Sequence, residues 1–128
     1  MRKFQELIVW QKAHKLVLDV YQTTKRFPRE EQYGLVSQMR RSAVSVPVNI
    51  VEGHKRKSKR EFANFMSVAE GSLEELKYHL LLSQDLHYLP KDTATDLFDS
   101  AEEVGRMLSG LKTHVKEELN YEKSALLP

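Results

Sequence analysis

Cysteine is absent from this sequence, and glycine and proline are scarce, with five and four residues among 128. The lack of cysteine excludes disulfides, thiolate zinc sites and cysteine nucleophiles, and it suits a reducing compartment. The few glycines and prolines disfavour turn-rich β architectures. No stretch approaches the roughly 20 apolar residues of a membrane span, and the N-terminus lacks the apolar run of a signal peptide. We therefore expect a cytoplasmic protein with no membrane partner.

The apolar residues recur at steps of three and four along almost the whole chain, whose length suits one domain. This spacing predicts four amphipathic helices, the first with a stripe that runs from Trp10 to Phe27. Short connections favour antiparallel neighbours, so the predicted fold is an all-α, up-down-up-down four-helix bundle. The predicted helices span about 6–26, 30–52, 58–88 and 91–118. The predicted domain is the bundle at 1–118, followed by a flexible C-terminal tail at 119–128.

Residues that bend, cap or end helices separate these stripes. Pro47 lies inside the second stripe, which resumes in phase at Ile50, so we expect a kink near Pro47 rather than a helix end. Gly53 can adopt the left-handed conformation that closes a helix, which predicts the end of the second helix there. Ser58 and Glu61 have the spacing of a capping box, which predicts the start of the third helix.

The residues that could carry chemistry do not form a familiar catalytic or metal-binding pattern. No Asp or Glu is followed three residues later by histidine, and no two histidines are three or four residues apart. A di-iron or two-histidine zinc site on helices requires such spacings. Ser109-x-x-Lys112 matches a nucleophile–base pattern of some acyl-transfer enzymes, but their other motifs are missing. We therefore expect no enzymatic activity, no metal and no cofactor.

Charge is divided unevenly along the chain, although the net charge is only +2. Residues 1–60 carry 14 Lys/Arg against 5 Asp/Glu, whereas residues 61–128 carry 6 against 13. Within the basic half, residues 54–60 contain five Lys/Arg in seven positions. A basic cluster of this kind binds phosphates electrostatically and with little sequence specificity. A solvated, charged helix junction is the alternative interpretation. The candidate nucleic-acid-binding residues are Lys55, Arg56, Lys57, Lys59 and Arg60, with Arg40 and Arg41 on the second helix as further candidates.

Several motifs occur in a characteristic order between residues 4 and 88. They include VWQKA at 9–13, YGLVSQMRR at 33–41, SVPVNIVEG at 45–53 and AEGSLEEL at 69–76. Together they resemble the bacterial four-helix-bundle family of 23S ribosomal-RNA intervening-sequence proteins. The resemblance implies an up-down bundle that assembles as a homopentamer without catalytic activity. A related branch is the accessory protein of diversity-generating retroelements, which binds nucleic acid and a reverse transcriptase.

Two functional hypotheses follow. The first is a non-enzymatic, oligomeric scaffold that binds structured RNA or DNA, and the alternative is a protein-interaction adaptor for a partner such as a polymerase. In either case we expect a ring, because a basic and an acidic half favour contact between different patches of successive copies. The resemblance supplies the number five. Apolar positions outside a single stripe would complete the interface, and they are Leu7, Ile8, Val36, Val44, Val48, Val51, Leu81 and Leu82.

Overall fold

Residues 3–125 are described by the computed structural model, and they form four α-helices and no strand. The helices are α1 (Ile8–Thr24), α2 (Leu35–Lys55), α3 (Lys59–Asp85) and α4 (Lys91–Ala125). Short 3-10 turns at Phe4–Glu6 and Arg29–Glu31 precede α1 and α2. The prediction of an all-α bundle is confirmed.

Successive helices are antiparallel neighbours. On the central pair, the Ser72 hydroxyl of α3 donates to the Ser45 hydroxyl of α2 at 2.8 Å. Earlier on α2, Met39 lies beside Ser83, which is later on α3. In the described part of the chain, α1 and α3 each pack against both α2 and α4, but not against each other. This arrangement is the up-down-up-down topology that the short connections predict.

The core lies where the four apolar stripes meet along the bundle axis. Removal of each large aliphatic side chain from water contributes about 1.5–3 kcal/mol. Val36, which we expected outside the main stripe, is also part of this core because only 6% of its surface is exposed. The large apolar side chains with almost no exposed surface are Leu16, Val20, Met39, Val46, Ile50, Met66, Leu73, Leu76, Leu80, Val104 and Leu108.

α2 continues through Pro47 without a break, so the prediction that proline does not end this helix is confirmed. Proline has no N–H to donate to the carbonyl one turn earlier. Nearby, the Asn49 side-chain amide donates to the Ser45 carbonyl at 2.7 Å and to the Ser45 hydroxyl at 3.1 Å. These bonds and the burial of Pro47 support the helix at the point where one backbone hydrogen bond is missing. The bend near Pro47 stays a prediction.

The prediction that Gly53 closes α2 in a left-handed conformation is wrong. α2 continues to Lys55, and no glycine in the described residues has a positive φ. A Cβ atom at position 53 would lie 2.8 Å from Met66 Cε and 3.0 Å from Phe65 Cβ. Real Cβ atoms almost never approach other atoms so closely. Gly53 therefore lies where the close packing of α2 against α3 disfavours a larger side chain.

A left-handed residue does end α3, but it is His87, with φ 64°. The Tyr88 N–H donates to the Ser83 carbonyl at 2.9 Å, and the His87 N–H donates to the Gln84 carbonyl at 3.0 Å. These two bonds form a Schellman motif, which reverses the chain. α3 consequently ends at Asp85, three residues before the position predicted from the apolar stripe.

α4 extends to Ala125, beyond the predicted helix end at about residue 118, so residues 119–125 are helical. The start of α3 contacts this last part of α4. The Lys59 ammonium lies 2.8 Å from a carboxylate oxygen of Glu118 and 2.5 Å from one of Glu122. These exposed ion pairs connect α4 to the start of α3 beyond Leu108, the last fully buried apolar residue of α4. Residues 126–128 of the predicted tail lie outside the described residues, and the flexibility of the tail stays a prediction.

Candidate nucleic-acid interface

The predicted basic cluster forms a tight connection at one end of the bundle. Lys55 is the last residue of α2 and Lys59 is the first of α3, so only three residues separate the helices. Ser58 caps α3, because its hydroxyl accepts a hydrogen bond from the Glu61 N–H at 3.2 Å. This bond is the hydroxyl half of the predicted capping box. The cap orders the connection that carries the cluster.

Two of the five cations in this cluster are engaged within the chain. The Arg56 guanidinium lies 3.2 Å from a Glu52 carboxylate oxygen and 5.0 Å from the centre of the Phe65 ring. Lys59 binds the two α4 carboxylates described above. Hydrogen bonds to those carboxylates raise the pKa of Lys59 to about 12, and the bond from Lys59 lowers the pKa of the Glu118 carboxyl. Arg56 and Lys59 therefore stabilise the connection.

Lys55, Lys57 and Arg60 differ from these two neighbours, and we call these three residues the basic junction. All three side chains are exposed, and none has a hydrogen bond or ion pair with another described residue. Three exposed cations at one tip can contact phosphates, because such contacts need charge rather than a fixed donor geometry. Among these three side chains, only that of Arg60 has the planar, paired donors that can read base edges.

Arg40 and Arg41 lie away from the basic junction, on the part of α2 that packs against the end of α1. The Arg40 Nε donates to the Thr24 hydroxyl at 3.0 Å, and its Nη2 donates to the Tyr21 carbonyl at 3.4 Å. Its guanidinium also lies 4.5 Å from the centre of the Tyr21 ring. Arg41 is exposed. The structure thus brings five of the seven candidate residues together and separates the other two.

Residues 5–110 match the family model described as 23S rRNA-intervening sequence protein. This range contains the basic junction, Arg40 and Arg41, and it covers more than three quarters of the chain. The chain belongs to this family. The family resemblance seen in the sequence motifs is confirmed, whereas the relation to the retroelement accessory protein stays a prediction.

A crystal structure supports the same fold for this member of the 23S rRNA-intervening sequence family. It is a protein with unknown function from the S23 ribosomal protein family of Bacteroides thetaiotaomicron. The likeness has a TM-score of 0.75 and covers 82% of this chain and 98% of that chain, with 19% sequence identity. At this identity the likeness shows the fold alone. No curated protein matches the sequence.

The Ser109-x-x-Lys112 pattern forms a polar bridge between α4 and α3. The Ser109 hydroxyl donates to one oxygen of Glu70 at 2.7 Å, and the Lys112 ammonium donates to the other at 2.6 Å. Partial burial raises the pKa of the Glu70 carboxyl, but these hydrogen bonds outweigh it and the pKa lies below its ordinary value. Lys112 therefore bonds a carboxylate rather than the Ser109 hydroxyl, which is not the geometry of a nucleophile and its base.

Residues 3–125 contain neither a cluster of metal ligands nor a membrane-spanning helix. In this part of the chain, no three His, Asp or Glu side chains converge as metal ligands would. No helix in the same range has the length and apolar character that crossing a bilayer demands.

Two grooves on the surface of the bundle were not predicted from the sequence. One is an apolar groove of about 380 Å³ between the start of α1 and α4, near Ile8 and Leu111. The other is a polar groove of about 340 Å³ lined by Lys25, Arg29 and Arg40, among others. The antiparallel pairing of α1 with α2 is the signal that could have revealed the polar groove, because it places Arg40 beside the end of α1.

Proposed function

We propose that this protein is a non-enzymatic, oligomeric scaffold in the cytoplasm that binds structured RNA through the basic junction. The proposal rests on a difference between neighbouring cations in the short connection between α2 and α3, where some are ion-paired and others are not. Lys55, Lys57 and Arg60 are exposed and unpaired among the described residues, whereas Arg56 and Lys59 are held by carboxylates. The paired residues stabilise the connection, and the unpaired residues stay available for phosphates.

Binding through such a junction is driven mainly by the release of counterions from the nucleic acid. A plot of the logarithm of the binding constant against the logarithm of the salt concentration has a slope of about −0.7 to −0.9 for each neutralised phosphate. Three contacts therefore give a slope of about −2 to −3 for each protomer that engages RNA. One junction alone binds weakly, but several junctions on one assembly act together through a high effective concentration. A double-stranded RNA region suits this mode, because it is recognised by shape and backbone rather than by base edges.

The assembly that we propose is a closed ring of identical subunits, and the family resemblance supplies the number five. Exposed apolar side chains support an interface, because Ile8, Val48 and Leu81 are 56%, 49% and 53% exposed. The other apolar positions named from the sequence are at least half-buried in the single chain. The opposite charges of the two halves support contact between different patches, which must close into a ring or extend into a fibre.

The assembly is tested by light scattering across a dilution series in moderate salt. We expect a mass of about five chains that is stable to dilution, because apolar contacts are not screened by salt. A stable single-chain mass of 14.9 kDa at micromolar concentration would refute the ring. A two-fold dimer would refute the contact between different patches while leaving the fold intact.

The RNA proposal is tested with two triple variants that remove the same charge. One is Lys55→Ala, Lys57→Ala and Arg60→Ala in the basic junction. The control is Lys15→Ala, Lys91→Ala and Arg106→Ala, which removes two lysines and one arginine that are exposed elsewhere. In filter binding with a structured RNA, we expect the junction variant to lose at least about tenfold in affinity, since two or three phosphate contacts disappear. The control should change affinity much less.

The wild-type protein should bind at about 50 mM salt and much more weakly at about 200 mM. Absence of binding at the lower salt concentration would contradict the proposal, as would equal losses in the two variants. Purification from the native cell separates this proposal from the protein-interaction adaptor. A high ratio of absorbance at 260 nm to that at 280 nm supports bound nucleic acid, whereas a copurifying polypeptide without nucleic acid supports the adaptor.

A further inference from the structure

The polar groove lies at the end of the bundle opposite the basic junction. It is formed by the end of α1, the 3-10 turn at Arg29–Glu31 and the first turns of α2, and its volume is about 340 Å³. Lys25, Arg29 and Arg40 line it together with the polar side chains of Thr24 and Gln32. No Asp or Glu lines the groove. Three cations therefore share a concave surface that has no internal counterion.

Arg40 is held in place in this groove by α1. The Thr24 hydroxyl donates to the Val20 carbonyl at 2.8 Å and accepts from the Arg40 Nε at 3.0 Å. The Arg40 Nη2 donates to the Tyr21 carbonyl at 3.4 Å. An arginine has five N–H donors, and these bonds use two of them, so three stay available. Because its position is already fixed, Arg40 loses little conformational entropy when it binds a ligand.

The Glu31 carboxylate of the neighbouring 3-10 turn bonds groups that lie outside the groove. One oxygen of Glu31 accepts from the Leu35 N–H at 3.4 Å, and the other accepts from the Tyr88 hydroxyl at 3.0 Å. This bond and the nearby charge of Glu30 raise the pKa of Tyr88. The turn thus directs the Glu31 carboxylate toward Leu35 and Tyr88, whereas Arg29 lines the groove. This separation leaves the positive charge of the groove uncompensated.

We propose that the groove binds a phosphate-bearing ligand, with a diphosphate as the smallest complete occupant. Arginine and lysine form charge-assisted hydrogen bonds with phosphate oxygens, and these are about twice as strong as neutral ones. Thr24 and Gln32 supply further polar contacts at the wall. The volume is at the lower end of the range of about 300–1,000 Å³ for small-ligand sites, which exceeds the needs of a single phosphate. The diphosphate belongs either to a free small molecule or to the phosphorylated end of an RNA.

Titration calorimetry with inorganic pyrophosphate tests the site on the full chain at low ionic strength. Arg29→Gln and Lys25→Gln each remove one exposed cation from the groove. Arg26→Gln is the matched control, because Arg26 is exposed and adjacent but does not line the groove. We expect one saturable site per chain, a rise of about tenfold in Kd for Arg29→Gln or Lys25→Gln, and a rise of less than about threefold for Arg26→Gln. The absence of saturable binding, or an equal effect of Arg26→Gln and Arg29→Gln, would overturn the proposal.

Two RNA oligonucleotides that differ only in a 5′-triphosphate or a 5′-hydroxyl distinguish the sources of the ligand. They are compared on the variant that lacks the basic junction, with and without Arg29→Gln. A preference for the triphosphorylated RNA that Arg29→Gln abolishes supports an RNA end as the occupant. Equal binding of the two RNAs, with pyrophosphate binding intact, supports a free small molecule. Pyrophosphate binding should not depend on the basic junction, so this proposal and the proposed function can fail separately.

Discussion

Replacement of Gly53 with alanine tests the packing of α2 against α3. Alanine removes the penalty of glycine inside a helix, which is about 1 kcal/mol. The new methyl group, however, enters a space in which Phe65 Cβ lies 3.0 Å away and Met66 Cε 2.8 Å away. The methionine methyl can rotate aside, but Phe65 Cβ moves only with the backbone of α3. Overpacking of this kind costs about 1–3 kcal/mol, so we expect a net loss of about 1 kcal/mol in the free energy of unfolding.

Gly71→Ala and Gly110→Ala are the controls for this prediction. A Cβ atom at either position meets nothing within 4 Å, so each control should gain about 1 kcal/mol. The assay is urea unfolding followed by far-ultraviolet circular dichroism, at one protein concentration because the apparent stability of an oligomer depends on concentration. The expected difference between Gly53→Ala and the controls is about 2 kcal/mol. If Gly53→Ala stabilises the protein as much as the controls do, the close approach of the helices does not restrict this position.

Two further predictions concern the ends of α3 and α4. His87→Gly should stabilise the protein by about 1 kcal/mol in urea unfolding, because glycine adopts the left-handed conformation of the Schellman motif without strain, and an unchanged midpoint would contradict this. The pKa of the Glu118 carboxyl is lowered in the folded protein, so its stabilising effect is complete above about pH 4.5 and is lost as the pH falls through the lowered value. In NMR spectra recorded along an acid titration, residues 119–125 should therefore lose helical structure as Glu118 becomes protonated, and Glu118→Gln with Glu122→Gln should weaken this segment at pH 7. A segment that stays helical in both cases would show that Lys59 does not hold it.

The fold was predictable because apolar periodicity and short connections are properties of adjacent residues. The stripes on α1 to α4 depend only on spacings of three and four, and the Ser58 cap depends on a residue three positions away. The errors arose where a distant residue decides the structure. Gly53 has the sequence context of a helix end, and only its neighbour Phe65 on α3 shows that it serves close packing. The last turns of α4 likewise contact Lys59, which is 63 residues from Glu122.

The candidate site was predictable only in part. The density of lysine and arginine identified the connection between α2 and α3 from the sequence alone. The same density cannot show which cations are engaged within the chain, because that depends on the register of α3 against α4 and on the turn from Glu52 to Arg56. The polar groove was not predicted because Arg29 and Arg40 come together only after α1 and α2 pack.

The measurement that tests the central claim most directly is the salt dependence of RNA binding by the wild-type protein and by the variant that lacks the basic junction. The binding constant for one structured RNA is determined at several salt concentrations, and its logarithm is plotted against the logarithm of the salt concentration. We predict that loss of Lys55, Lys57 and Arg60 makes the slope shallower by about 2 or more for each engaged protomer. Identical slopes for the two proteins would show that the basic junction does not contact phosphates and would contradict the account.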